Sequence, residues 1–127
     1  MLAFLDRHQD LTYALLRMVT GFLFLWHGTQ KLFGFPLATR EGVPAFVTWG
    51  AGSIELVGGL LVMIGFLTRP AAFVSSGTMA FAYWLAHGTQ ALLPINNGGE
   101  LAALYCFAFL AIAARGPGIL SIDSLRR

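Results

Sequence analysis

Long apolar stretches constrain the fold of this 127-residue chain more than any other feature of its sequence. Four of them, at about residues 11–33, 44–68, 70–88 and 98–114, approach the roughly 20 apolar residues that a helix needs to cross a bilayer. Only 11% of the residues are charged, against about 25% in an ordinary soluble domain. We therefore predict a protein that crosses the lipid bilayer several times and has no soluble domain of useful size.

Each stretch is predicted to be a helix, because in lipid every backbone N–H and C=O group must find its partner within the protein. Pro44 and Pro70 suit the first turn of a helix, where a missing N–H does no harm. The run Gly116-Pro117-Gly118 ends the last stretch and leaves a short tail at 117–127. The expected fold class is all-α, a four-helix transmembrane bundle.

The tetrapeptide His-Gly-Thr-Gln occurs twice, at 27–30 and at 87–90. A lone glutamate follows each copy one apolar stretch later, and an arginine follows that glutamate about one membrane thickness further on: Glu55 and Arg69 in the first half, Glu100 and Arg115 in the second. The chain is therefore predicted to contain two helical-hairpin repeats, at about 11–69 and 70–116. Because each repeat holds two crossings, both enter the membrane in the same direction, as a parallel repeat.

The basic residues predict the orientation, since cytoplasmic loops are rich in lysine and arginine. Those on the side that holds both termini are Arg7, Arg69, Arg115, Arg126 and Arg127. Only Lys31 and Arg40 fall on the other side, so both termini are expected in the cytoplasm. The net charge of +2 comes from scattered residues and forms no basic run, which gives nucleic-acid binding no support.

Four ionisable side chains are expected at one depth in the membrane. His27 lies sixteen residues after Leu11 and His87 lies sixteen residues after Ala71, or roughly 24 Å along a helix in each case. Glu55 and Glu100 lie fourteen and fifteen residues before the arginine that closes their stretch, or roughly 21–23 Å. The four residues therefore form one layer toward the outer side of the bilayer, and charge inside a span is a functional-site hypothesis by default.

The first stretch also presents a polar face, with Arg17 and Lys31 on the same arc of about 120° as the first histidine. This face should point into the bundle because charge avoids lipid. Gly58 and Gly59 on the second stretch are expected to let helices approach closely. We expect Arg17 and Lys31 to complete a ligand-binding or proton-relay site made by the four residues of the layer, as His–Glu pairs or as one shared cluster.

Other interpretations of the layer stay open. Polar groups can simply hold membrane helices together, through hydrogen bonds worth around 1 kcal/mol or less each. Two histidines at one depth could bind haem, and the four residues together could bind zinc, but neither group is favoured. We predict no metal site, no catalytic residue and no intrinsic cofactor, so any enzymatic activity stays undecided. The one cysteine, Cys106, has no partner for thiol–disulfide chemistry.

Several of these motifs together resemble those of the DoxX family of membrane proteins. The run 17–34, with its His-Gly-Thr-Gln-Lys-Leu-Phe-Gly ending, resembles the first-span signature of that family, and so do residues 55–59 leading into 65–69. Residues 97–100 and 116–123 resemble its second half. The resemblance covers nearly the whole chain and implies a multi-pass protein of the bacterial inner membrane. One departure is the segment before the glycine pair at residues 98 and 99, which lacks the aromatic residues that the family often has there.

The resemblance also suggests a function, because some DoxX relatives are named as small subunits of a quinone-linked sulfur oxidoreductase. We therefore expect an accessory subunit of a membrane redox system that binds a quinone-like or other small amphipathic molecule. Its redox centre would lie on a partner protein, because this chain carries no cofactor motif. The alternatives are a transporter of protons or small solutes, for which a homo-oligomer is expected, and a purely structural scaffold in the lipid bilayer.

Overall fold

The computed structural model describes residues 2–127, and over these residues the regular structure consists of helices alone. The helices are α1 (Ala3–Arg7), α2 (Gln9–Phe33), a π-helical turn (Val47–Ala51) that continues directly into α3 (Gly52–Ile64), α4 (Thr68–Ala86), α5 (Pro94–Asn97), α6 (Glu100–Arg115) and α7 (Ile122–Leu125). The predicted all-α class is confirmed.

The predicted boundaries agree with the four longer helices to within a few residues, with one exception. The second stretch was expected to continue to Thr68, but α3 ends at Ile64. Gly65 adopts the left-handed conformation, with φ of 72°, which glycine reaches at little cost, and it therefore ends the helix. Thr68 is instead the first residue of α4.

By length and apolar composition, one helix within residues 2–127 could cross a membrane. It is the continuous helix formed by the π-helical turn and α3, Val47–Ile64. Helix α6, with 16 residues, is shorter than the roughly 20 that a span requires. The arrangement with four crossings therefore stays a prediction.

Helices α2 and α3 lie so close that their backbones touch. A Cβ atom at Gly21 would come within 2.5 Å of the Gly59 carbonyl oxygen, and one at Gly59 would come within 2.8 Å of the Leu25 nitrogen. Gly58 instead faces α4, where a Cβ would meet the Ser75 hydroxyl at 2.5 Å. The expectation of close helix approach is confirmed at Gly59, where a Cβ would collide with backbone atoms, whereas at Gly58 the close neighbour is a side-chain hydroxyl.

The apolar core joins this helix pair to the pair formed by α4 and α6. Phe24 of α2 is fully buried, and its ring centroid lies 4.6 Å from that of Phe109 on α6. Val62, Ala72 and Ile112 complete the fully buried apolar core from α3, α4 and α6. Burying a large apolar side chain of this kind stabilises a fold by about 1.5–3 kcal/mol.

The C-terminal segment closes one end of the bundle around Arg17. The Arg17 side chain is fully buried and donates hydrogen bonds to the carbonyl oxygens of Val62 (3.1 Å), Ile119 (3.0 Å), Leu120 (2.6 Å) and Pro117. Every acceptor is a backbone oxygen, and three of the four belong to the segment after α6. Arg17 therefore fastens this segment to the bundle and does not complete the polar layer, which corrects the prediction from sequence.

Asp123, in the same C-terminal segment, caps the start of α4. Its carboxylate accepts hydrogen bonds from the Leu67 nitrogen (3.1 Å), the Thr68 nitrogen (2.9 Å) and the Thr68 hydroxyl (2.8 Å). Partial burial pushes the pKa of Asp123 upward, but the hydrogen bonds from Thr68 and Leu67 outweigh it and hold the pKa below its ordinary value. The ionised carboxylate thus supplies a partner for the free N–H groups of the helix.

Replacing Gly21 by alanine should destabilise the fold by about 1–3 kcal/mol, because the added methyl group collides with the α3 backbone. Gly77→Ala in α4 is the matched control, since a Cβ there meets no described atom within 4 Å. Thermal unfolding in detergent should show a lower melting temperature for Gly21→Ala only. Equal melting temperatures for the two variants would contradict the close approach of α2 and α3.

The Asp123 cap should depend on pH. Because the folded-state pKa is lowered, the cap stabilises the fold above the ordinary aspartate pKa of about 4 and loses its effect as pH falls through the lowered value. We expect Asp123→Asn to cost about 1 kcal/mol at pH 7 and progressively less as pH falls from about 4 toward 2. Melting temperatures of both proteins measured between these pH values test the prediction, and a constant difference would contradict it.

Candidate ligand-binding cavity

A cavity of about 600 Å³ opens at the end of the bundle opposite the C-terminal segment. Its walls come from the last turns of α2 and α4, the first turns of α3 and α6, and the loop before the π-helical turn. The polar side chains on its wall include Gln30, Lys31, Thr39, Arg40, Glu55, His27 and His87. Small-molecule sites in proteins have volumes of about 300–1,000 Å³ and combine apolar walls with a few polar groups, as this cavity does.

An ion pair lies on the cavity wall. The Lys31 ammonium nitrogen is 2.8 and 3.1 Å from the two carboxylate oxygens of Glu55. Glu55 is only 3% exposed, whereas the Lys31 side chain is 27% exposed at the cavity mouth. A carboxylate at this depth must be paired or protonated, and here Lys31, one helical turn beyond His27, supplies the positive charge.

Both predicted histidines reach the cavity, but neither pairs with a glutamate among the described residues. His27 packs edge-on against the ring of Tyr105, with ring centroids 5.9 Å apart. His87 ends α4, and its Nδ1 lies 3.0 Å from the Asn97 carbonyl oxygen. The expected His–Glu pairs are therefore wrong, because Lys31 occupies the position beside the Glu55 carboxylate.

Glu100 does not join the other three members of the layer. It is the first residue of α6, is exposed and lies off the cavity wall. Leu101, Ala102 and Tyr105 are the α6 residues that line the cavity. Because successive helix residues are rotated by about 100°, Glu100 points away from the side that Leu101 presents. Counting residues along a helix predicts where Glu100 lies along the helix axis, but it does not predict which way its side chain points.

Asn97 is a structural residue of this site that sequence reasoning missed. It is 5% exposed, and its amide nitrogen donates to the Tyr83 hydroxyl and to the Ala91 carbonyl oxygen, both at 3.1 Å. Its side-chain oxygen accepts from the Gly99 nitrogen at 2.8 Å. These bonds hold the loop whose backbone contacts His87. An isolated polar pair before two glycines, Asn96-Asn97-Gly98-Gly99, was the available signal.

The charges around the cavity favour a ligand with electron-rich oxygens. Lys31 and Arg40 contribute two positive charges to the wall and Glu55 contributes one negative charge, so the wall is net positive by one when the histidines are neutral. Phe24, Tyr105 and other apolar side chains form the deeper wall. The arrangement can donate hydrogen bonds to a polar head group and hold an apolar ring. Within residues 2–127, no group of three or more histidine, cysteine or acidic side chains is placed to hold a metal ion.

Comparison with known proteins relates the chain to membrane proteins of bacteria. The protein-family model described as DoxX matches residues 12–88. An uncharacterized protein of Haemophilus influenzae is 38% identical and is covered over 94% of both chains. Inner membrane protein YqjF of Escherichia coli is 30% identical over 92% of this chain and 93% of its own length. A Bacillus subtilis protein named "Putative oxidoreductase CatD" is 28% identical over 94% of this chain and 90% of its own length. No solved structure matches.

The Lys31–Glu55 pair should show strong energetic coupling. In a double-mutant cycle with Lys31→Gln and Glu55→Gln, we expect a coupling energy of about 1–3 kcal/mol, because the carboxylate is buried. The exposed pair Asp10–Arg115, at 3.3 Å, is the control and should couple by less than about 1 kcal/mol. The free energies of unfolding of the variants provide the measurement. Similar coupling energies in both pairs would contradict the conclusion that Lys31 and Glu55 form a buried ion pair.

Proposed function

Because this chain belongs to the DoxX family of bacterial inner-membrane proteins, we propose that it is an accessory subunit of a quinone-linked redox system. The observation that carries this proposal is the cavity in which Lys31, Glu55 and His27 stand beside aromatic walls. The name of the Bacillus subtilis relative, "Putative oxidoreductase CatD", supports a redox role. The electron donor or acceptor would be a partner protein.

We place the chain in the membrane as four crossings, made by α2, the helix Val47–Ile64, α4 and α6. The tight packing of α2 on α3 and of α4 on α6 supports two helical hairpins, one from each repeat. The arginines at 69, 115, 126 and 127 lie at the end that holds the C-terminal segment, which supports cytoplasmic termini. In this orientation the cavity lies toward the outer leaflet.

The cavity residues suit the two chemical features of a quinone. Its carbonyl oxygens accept hydrogen bonds, which the Lys31 ammonium and a His27 N–H can donate. Its planar ring can pack against Phe24 and Tyr105, which line the deeper wall. A quinone that a partner protein reduces takes up protons as well as electrons. A protonated His27 can supply a proton and become neutral, whereas a proton given up by the Lys31 ammonium must be replaced, because the buried Glu55 carboxylate would otherwise lose its counter-ion.

A structural role alone explains this pair poorly. Replacing a buried ion pair by apolar residues is often neutral or stabilising, so an ion pair is an inefficient way to hold helices together. Here the pair also lines a cavity, and the Lys31 side chain is partly exposed, so it can contact a ligand in that cavity. Both facts favour a role in binding over a role in packing.

Quinone binding to the purified protein in nanodiscs tests the proposal. We expect His27→Ala and Glu55→Gln each to raise the Kd at least tenfold, or about 1.4 kcal/mol. His27→Ala removes a hydrogen-bond donor, and Glu55→Gln removes the charge that positions the Lys31 ammonium. Glu100→Gln is the matched control and should leave the Kd unchanged, because Glu100 lies off the cavity wall.

Two outcomes would count against the proposal. Unchanged binding after replacing His27, Lys31, Glu55 and His87 together would show that the cavity does not bind quinone. Proton or solute flux in proteoliposomes that disappears in Glu55→Gln, with no quinone binding, would assign the cavity to transport.

A further inference from the structure

A groove of about 450 Å³ runs along the outer flank of the bundle, between the helix Val47–Ile64 and α4. We call it the flank groove. Its wall includes Gly50, Ile54, Gly77 and Phe81, and it contains no charged side chain. The side chains along both edges of the groove are aromatic or aliphatic, and they are exposed at the protein surface. Phe81, for example, is 61% exposed. In a membrane protein, such a surface faces the acyl chains.

The flank groove is continuous with the cavity that holds the ion pair. Five residues line both spaces: Phe46, Val47, Ala51, Ala82 and Leu85. The cavity and the flank groove therefore form one connected space, whose wall changes from charged to apolar along its length. The inner end carries Lys31 and Glu55, and the outer end is entirely uncharged.

Two glycines create the space in the flank groove. A Cβ atom added at Gly50 or at Gly77 would meet no described atom within 4 Å. Neither residue adopts a positive φ angle, so the backbone conformation does not require glycine. This distinguishes both from Gly21 and Gly59, whose missing side chains permit helix contact.

A glycine inside a helix is costly without such a reason. It destabilises the helix by about 0.5–1 kcal/mol relative to alanine, because it loses more conformational freedom on folding. Gly77 lies in the middle of α4, and Gly50 lies in the π-helical turn, a feature found frequently at functional sites. Neither glycine is required by backbone conformation or by helix contact, and both lie on the wall of one open groove. This indicates that the empty volume itself is used.

We propose that the flank groove binds the apolar tail of the same ligand whose polar head occupies the cavity. The ligand is then an amphiphile with a hydrocarbon or isoprenoid chain, and it reaches the site sideways from the bilayer, between Phe46 and Leu85. This inference rests on the proposed function and extends it from a head group to a tailed molecule. A small polar solute has no apolar part that could bind in the groove.

Filling the groove tests the proposal. Gly77→Leu places a side chain in the open space and improves helix propensity, so we expect the variant to fold. The probes are decylubiquinone and its ring without the decyl tail. We expect Gly77→Leu to weaken decylubiquinone binding at least tenfold and to leave binding of the tail-less ring unchanged. Gly77→Ala, which adds one methyl group, should have a much smaller effect.

His27→Ala separates the head-group cavity from the tail site. It should weaken binding of both probes, because both lose a contact to the head group. If the wild-type protein binds the tail-less ring and Gly77→Leu binds decylubiquinone normally, the tail site is refuted and the head-group cavity stands. If the wild-type protein binds neither probe, the proposed function and the tail site both fail.

Gly50→Leu provides a second variant from the opposite wall of the groove. It should reproduce the selective loss of decylubiquinone binding even if Gly77→Leu does not fold. Size measurements in detergent complete the test. If either leucine variant changes the oligomeric state, the groove is an interface between copies of this chain, and the tail site is overturned.

Discussion

Two charges buried in an apolar fold require partners, and those partners determine how the two ends of this bundle are built. Glu55 takes the Lys31 ammonium at one end, whereas Arg17 takes backbone carbonyl oxygens at the other. An unpaired charge at either position would cost several kcal/mol. The helices are therefore packed so that both charges have partners. The two ends of the bundle differ because one charge pairs with a side chain and the other with backbone oxygens.

The Arg17 end is closed. Its guanidinium donates to carbonyl oxygens after α6, and the Asp123 carboxylate in the same segment caps α4, so the C-terminal segment is bonded to both α2 and α4. The Glu55 end is open. There the ion pair leaves room for a cavity of about 600 Å³, and open volume in a well-packed fold is itself a cost. Close packing at one end and an accessible polar wall at the other agree with the proposed role in ligand binding.

Much of the architecture could be predicted from the sequence because local signals carry it. Apolar length and the glycine and proline positions predicted four of the helices to within a few residues, and Gly58 and Gly59 predicted close packing. The candidate site was predicted less well. His27, Lys31, Glu55 and His87 do share one cavity, but Glu100 turns outward and Arg17 lies at the opposite end. Helical rise gives height along an axis, while the direction of a side chain depends on where its neighbours lie.

The sequence by itself determined which residues are helical, which faces are polar and which groups must be shielded from lipid, because these follow from composition and from periods of 3.6 residues. Only the tertiary structure decided which groups meet. Lys31 pairs with Glu55 across 24 positions, Arg17 pairs with carbonyl oxygens about 100 positions away, and Gly50 and Gly77 line the same groove. Such partners are brought together by helix packing, and no local pattern records the distance between residues that are far apart in the chain.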